Sequence, residues 1–190
     1  VPAVVGPTER LLGTIVRLLP SEPSLRTGAY AALGLARLDP DRREPEAREL
    51  LERVMEQLSA AYAANARDGW RWFEDMLSYD NARLPHALIV GGATLGREEL
   101  TETGLDALRW LGDESGLAAG TLRLTGHGGR QRSEPAPGAG DEQPLDASAF
   151  VEAELAAFVV TGEPEHGRRA QRSFDWFLGR NDLRLPLYDS

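Results

Sequence analysis

Apolar residues recur at helical spacing along nearly the whole chain, and no strict alternation of apolar and polar positions competes with them. The pattern predicts helices over residues 8–19, 24–38, 46–66, 83–95, 98–112, 143–161 and 165–178. Only residues 120–124 read as a short strand. The helices are of two kinds. In 46–66, Leu50, Leu51, Val54, Leu58 and Tyr62 lie opposite Glu49, Glu52, Arg53, Glu56 and Gln57, so one face is wet. The helices over 8–19, 98–112 and 165–178 behave in the same way. The other three are apolar nearly all round. Residues 24–38 hold only Arg26 and Arg37 as charges up to their end, 83–95 only Arg83, and 143–161 chiefly Glu152 and Glu154. A helix without a wet face is covered on several sides. The two kinds alternate, which predicts an all-α, two-layer array of αα-hairpins with the apolar helices as its inner row.

Connection lengths follow the same alternation. Inner-to-outer connections are short, as at Gly96–Arg97 and Gly162–Pro164, where Gly162 can take a positive φ and Pro164 can open the next helix. Outer-to-inner connections are mostly long: 67–82, 113–143 and the tail from Gly179. In a hairpin array these long loops gather on one rim, where binding and catalysis are usually sited.

The rim loops carry the candidate chemistry. The first holds Trp70, Trp72, Glu74, Asp80 and Asn81, and leads to Arg83 and His86 at the mouth of an apolar helix. The second ends in Asp141, Glu142 and Gln143, and the third holds Asn181, Asp182 and Tyr188. Aromatic rings beside carboxylates and amides suit a sugar, whose C–H faces stack on rings and whose hydroxyls need donors and acceptors. Asp80, Asp141, Glu142 and Glu74 are candidates for acid–base work on a glycosidic bond. Trp70, Trp72, Asn81, Arg83, His86, Gln143, Asn181, Asp182 and Tyr188 are candidates for substrate binding. Each has a plainer alternative. The tryptophans can plug the core, Asp80, Asn81 and Asp141 can cap helices, and Asn181–Asp182 can shape a turn. A charge at the mouth of an apolar helix needs a partner, and Asp80 is near Arg83. His127 reads as a loop residue and His166 as surface. The Gly/Pro-rich span 126–140 reads as a flexible loop, with a lid as the alternative.

Composition narrows the classes. Of 190 residues, 21 are basic and 30 acidic, for a net charge of −9, and every basic residue is Arg. The absence of Lys excludes Schiff-base and P-loop chemistry, and the absence of Cys excludes thiol nucleophiles and iron–sulfur clusters. The three His show no metal-ligand spacing, so neither a metal nor another cofactor is expected. The acidic balance argues against nucleic acid as a partner. No run of apolar residues is long enough for a membrane span, and the lack of Cys fits a cytoplasmic protein.

The segments Trp72–Phe–Glu74, Tyr79–Asp–Asn–Ala–Arg–Leu–Pro85, Asp141–Glu–Gln–Pro144 and Asp175–Trp–Phe–Leu–Gly–Arg–Asn–Asp182, followed by Leu185–Pro–Leu–Tyr–Asp189, carry a resemblance. Over roughly 60–190 the chain resembles bacterial helical-toroid proteins found with sugar-transferring enzymes. Their helical part is similar to the (α/α)6 toroids of sugar epimerases and glycoside hydrolases. The resemblance implies a carbohydrate ligand at the inner-helix mouths. Epimerase-type members use histidines as proton carriers, and here only His86 lies near that mouth. Two functions follow as expectations. One is a carbohydrate-active domain with hydrolase or glycosyltransferase-linked activity. The other is a non-catalytic helical module that binds glycan or a partner enzyme. The predicted helices make about three and a half hairpins, so the chain is expected to be a segment of a toroid whose remainder, or a second chain, covers its inner flank.

Overall fold

In a computed structural model, the described residues are Thr14, Leu18, 23–38, 45–136, 138 and 140–187. Among them are helices α1 (Leu25–Ala36), α2 (Pro45–Asn65), α3 (Arg83–Leu95), α4 (Glu98–Glu114), α5 (Pro144–Thr161) and α6 (Pro164–Asp175). The expected helix over 8–19 lies outside the described residues, apart from Thr14 and Leu18. The protein is all-α, and the six predicted helices from 24 onward are present with ends shifted by no more than three residues.

The packing is that of a hairpin array. Helix α3 lies between α1 and α5, and α2, α4 and α6 pack on α1, α3 and α5 respectively. The apolar helices therefore form one row and the amphipathic helices another. The core fills the space between them, with Leu50, Leu51, Leu58, Leu84, Leu88 and Leu108 fully buried. Gly96 (φ 67°) and Gly162 (φ 72°) close α3 and α5 in the left-handed conformation, which costs glycine little. These tight turns fold each inner helix back onto its outer partner.

The α3–α4 hairpin is closely approached. A Cβ at Gly104 would lie 2.9 Å from the Ile89 nitrogen and 2.9 Å from the Pro85 carbonyl oxygen. Both obstacles are backbone, so no side-chain rotation relieves the clash. The α5–α6 hairpin is joined by a buried polar pair, His166 Nδ1 to Glu154 Oε2 at 2.6 Å. Burial raises the Glu154 pKa, while the bond to His166 opposes that rise. His166 was expected at the surface but is buried, because it points across the hairpin at a fully buried carboxylate.

The strand expected at 120–124 is not present. Leu122 and Leu124 are buried, yet the Arg123 N–H donates to the Ser115 carbonyl and the Leu124 N–H to Glu142. The strands are instead Met76–Leu77 (β1) and Arg130–Gln131 (β2), paired antiparallel. This short ladder joins the first two rim loops. The described part of 126–140 is thus anchored: buried Arg130 forms a 2.7 Å ion pair with Glu114 and lies over the Trp70 ring.

Gly104→Ala should destabilise the fold by about 1–3 kcal/mol through overpacking. Gly34→Ala, at an exposed position of α1 with no atom near the new Cβ, should stabilise it by about 0.5–1 kcal/mol. Urea unfolding of both variants beside the parent measures the contrast, and equal effects would contradict the close approach.

Candidate functional site

The turn at 79–81, which leads into α3, is fixed from two sides. From α1, Arg26 donates through Nε to the Tyr79 carbonyl (2.7 Å) and through Nη2 to Asn81 Oδ1 (3.1 Å). Its remaining arm forms a 2.8 Å ion pair with Glu74. From α5, the buried Asp146 carboxyl faces the backbone N–H groups of Asp80 and Asn81, which favour its charged form. Asn81 Oδ1 also accepts from the Ser78 N–H at 3.1 Å. Held in this way, Asp80 adopts φ 50°, an uncommon conformation for a residue with a Cβ.

Asp80 is fully buried and meets two partners. Tyr30 of α1 donates its hydroxyl to Oδ2 at 2.5 Å, and Arg83 Nε lies 3.5 Å from Oδ1. The expected pairing of Arg83 with Asp80 is present. Arg83 also donates to Glu152 of α5 at 2.5 Å and stacks over the Tyr30 ring at 5.1 Å. Arg26 stacks in the same way over Tyr79, at 5.1 Å. Two arginines thus hold two tyrosine rings that remain 49% (Tyr30) and 53% (Tyr79) exposed. One turn further along α3, His86 is buried and its Nδ1 has no partner. Burial, and then the charge of Arg83, push its pKa down to about 4, so the ring is neutral at pH 7. Asp146 moves the opposite way, up to about 6, because burial outweighs the effect of those two backbone N–H groups.

Other expected site residues have separate roles. Trp70 and Trp72 are 3% and 0% exposed. They pack edge-on or tilted with Phe73 and Trp110, and the Trp70 indole donates to the Glu74 carbonyl. Of the two readings of these rings, core plug and sugar platform, their burial matches the core plug. Glu142 accepts from the Leu124 N–H at 2.7 Å and from the Trp176 indole at 2.6 Å. The Asp141 carbonyl accepts from the His127 N–H, and the Asp141 N–H donates to the His127 ring Nδ1. The Asn181 side chain bonds to Trp176 and Leu185, which shapes the turn. Asp182 faces Arg123 at 3.4 Å on the surface. Gln143 is the residue before α5 and makes no side-chain cap. Neither Asp80 nor Asn81 caps α3, whose N-cap is Ala82. Tyr188 lies outside the described residues.

Two hydrogen-bonded groups form among the candidate residues, with Asp141, Gln143 and Asp182 in neither. Glu74, Asp80, Asn81 and Arg83 belong to one, beside His86. Glu142 and Asn181 meet through Trp176 in the other. Sequence reasoning missed Arg26, Tyr30, Tyr79, Asp146 and Glu152 as site residues. Arg26, Asp146 and Glu152 had a signal, being charges on otherwise apolar helices. Tyr30 and Tyr79 had none, because each draws its meaning from a partner remote in sequence.

Among the described residues, no group of three or more His, Asp or Glu is arranged to hold a metal ion. Among the same residues, no helix is long and apolar enough to cross a membrane. No protein-family model matches the chain, and no curated protein or solved structure matches it.

The opposed shifts of Asp146 and His86 predict a pH signature. A raised carboxyl pKa gives stability that is present below about pH 4 and lost as pH rises through about 6. A lowered imidazole pKa gives stability that is present above about pH 6.5 and lost as pH falls through about 4. The two contributions offset each other over the same window. Asp146→Asn should therefore make Tm drop more steeply than the parent on acidification from pH 7 to 4. His86→Gln should make Tm drop relative to the parent as pH rises from 4 to 7. Melting curves at constant ionic strength test both, and parallel profiles for all three proteins would contradict the assignment.

Proposed function

We propose that this chain binds a sugar at the mouth of its inner helices, and that its hairpin array is part of an (α/α)6-type toroid. The observation that carries the reading is the pair of half-exposed rings, Tyr30 and Tyr79, held beside Asp80 and Glu74 by Arg83 and Arg26. Each ring offers an apolar surface for the C–H face of a pyranose. Glu152, whose side chain is 48% exposed, and Glu74, at 31%, offer acceptors to its hydroxyls. The arginine stacking fixes the rings before a ligand arrives, which lowers the entropic cost of binding.

Binding without turnover is the form of this reading that the geometry favours. Glu74 is ion-paired with Arg26, Glu142 is held by a backbone N–H and an indole, and Asp80 accepts from Tyr30 beside Arg83. Each of these carboxylates is engaged by this chain's own groups, and Asp80 has no exposed surface from which to reach a glycosidic oxygen. The non-catalytic module is accordingly preferred to the hydrolase, and a carbohydrate is the partner proposed for it.

Titration of the protein with a panel of mono- and oligosaccharides, followed by amide chemical shifts, tests the reading. Perturbations should centre on residues 26–30 and 79–86. Tyr30→Ala and Tyr79→Ala should each weaken binding about tenfold or more; Tyr79→Ala should leave the melting temperature within a few degrees, whereas Tyr30→Ala, which removes a hydrogen bond from buried Asp80, should lower it further. Asp80→Asn should show no loss of a turnover rate, since none is expected in the parent. The absence of any saccharide response would refute the proposal, and glycoside hydrolysis lost in Asp80→Asn would restore the enzyme reading.

A further inference from the structure

Beneath the tyrosine rim, the same row of helices carries a groove of ≈ 540 Å³. Helix α3 contributes His86, Val90 and Thr94, spaced four residues apart on one face, and Arg37 follows the end of α1. Helix α5 contributes Glu152, Leu155, Ala156, Val159 and Val160, again one helical face. The aliphatic members are open to solvent: Val159 is 81% exposed and Leu155 47%. Among the described residues the lining contains no Phe, Tyr or Trp, so it suits an aliphatic chain rather than the face of a sugar. Two of its residues tie it to the rim. Glu152 is the carboxylate that pairs with Arg83, and His86 lies one turn along α3 from Arg83. The unpartnered, buried His86 Nδ1 stands where the polar mouth gives way to the apolar groove.

We infer that the inner face takes an amphiphilic glycoside, with its sugar on the Tyr30–Tyr79 rim and an aliphatic aglycone along α5 in the groove below. The inference rests on the sugar-binding reading and adds the class of its ligand. A polar head followed by an apolar tail matches the order of the lining, from Arg83 and Glu152 through His86 to Val159 and Val160. Neutral imidazole offers one donor and one acceptor, which suits a glycosidic oxygen or a hydroxyl at the junction. The volume lies in the range of small-molecule sites.

The test is calorimetric titration of the protein with methyl, n-butyl, n-hexyl and n-octyl glycosides of glucose, galactose and mannose, kept below micelle-forming concentrations. n-Hexanol serves as the tail-only probe. Affinity should rise about two- to fourfold for each added methylene. Val159→Asp, at an exposed position that folding does not require to be apolar, should abolish this dependence and leave methyl glycoside binding unchanged. Arg83→Met should weaken every glycoside and leave hexanol unchanged. Equal affinity for methyl and octyl glycosides would overturn the inference and leave the sugar reading standing. A chain-length dependence that survives Val159→Asp would overturn it too, since the tail would lie elsewhere. A dimer in sedimentation that Val159→Asp dissolves would make the groove a self-association surface and overturn it likewise. Hexanol binding as tightly as hexyl glycoside, with methyl glycosides silent, would remove both readings, as would silence from every probe.

Discussion

Arg26 and Asp146 grip one turn of backbone from opposite sides, and the arrangement of the rim depends on that grip. Arg26 reaches from α1 to the Tyr79 carbonyl and the Asn81 side chain, while Asp146 reaches from α5 to the N–H groups of residues 80 and 81. The turn leads directly into α3, so the three inner helices are registered against each other where it sits. The same grip holds Asp80 at a positive φ, which Asp adopts more readily than most residues with a Cβ. The surrounding contacts over-determine the backbone there. The turn delivers a carboxylate to Tyr30 and Arg83 and leaves two tyrosine rings at the surface.

The charges at the rim are costly to keep. Arg26, Asp80, Arg83 and Asp146 are all buried, and each must recover by pairing what it loses in hydration. Replacing such a network with apolar side chains of similar size is often neutral or favourable for stability, whereas removing one member is not. The groove beside it shows the converse feature, aliphatic side chains left in water. Both run against the simplest route to a stable helical array, and sites of binding are where such departures collect. The proposed amphiphilic ligand accounts for the two together.

The helices were legible because one physical rule produced them. An outer helix has one wet face and an inner helix has none, so the alternation of layers was written into the hydrophobic pattern of each segment. The short inner-to-outer turns were legible for a related reason, since Gly162 marks where a left-handed residue can stand and Gly96 opens an equally short connection. Pairing across distance was not legible. The β1–β2 ladder has two residues on each strand, too few to show a period. His166 looked superficial because its own helix is the most polar of the set, and only the facing Glu154 explains its burial. Trp70 and Trp72 looked available for a ligand because composition does not reveal that Trp110 and Arg130 cover them. Arg83 was the favourable case, a lone charge on an apolar helix with its partner three residues away.

The central claim is that the buried rim charges are retained for a ligand and not for the fold. The direct measurement is the unfolding free energy and saccharide affinity of the Asp80→Asn/Arg83→Met double variant beside its two single variants. Asn tolerates the left-handed conformation, so the substitution adds no backbone strain. The account predicts that Arg83→Met alone is destabilised by roughly 3–5 kcal/mol, as expected for a buried charge left unpaired. It predicts that the double variant regains most of that stability while saccharide binding stays lost. A double variant at least as unstable as the single one, or one that still binds saccharide like the parent, would contradict it.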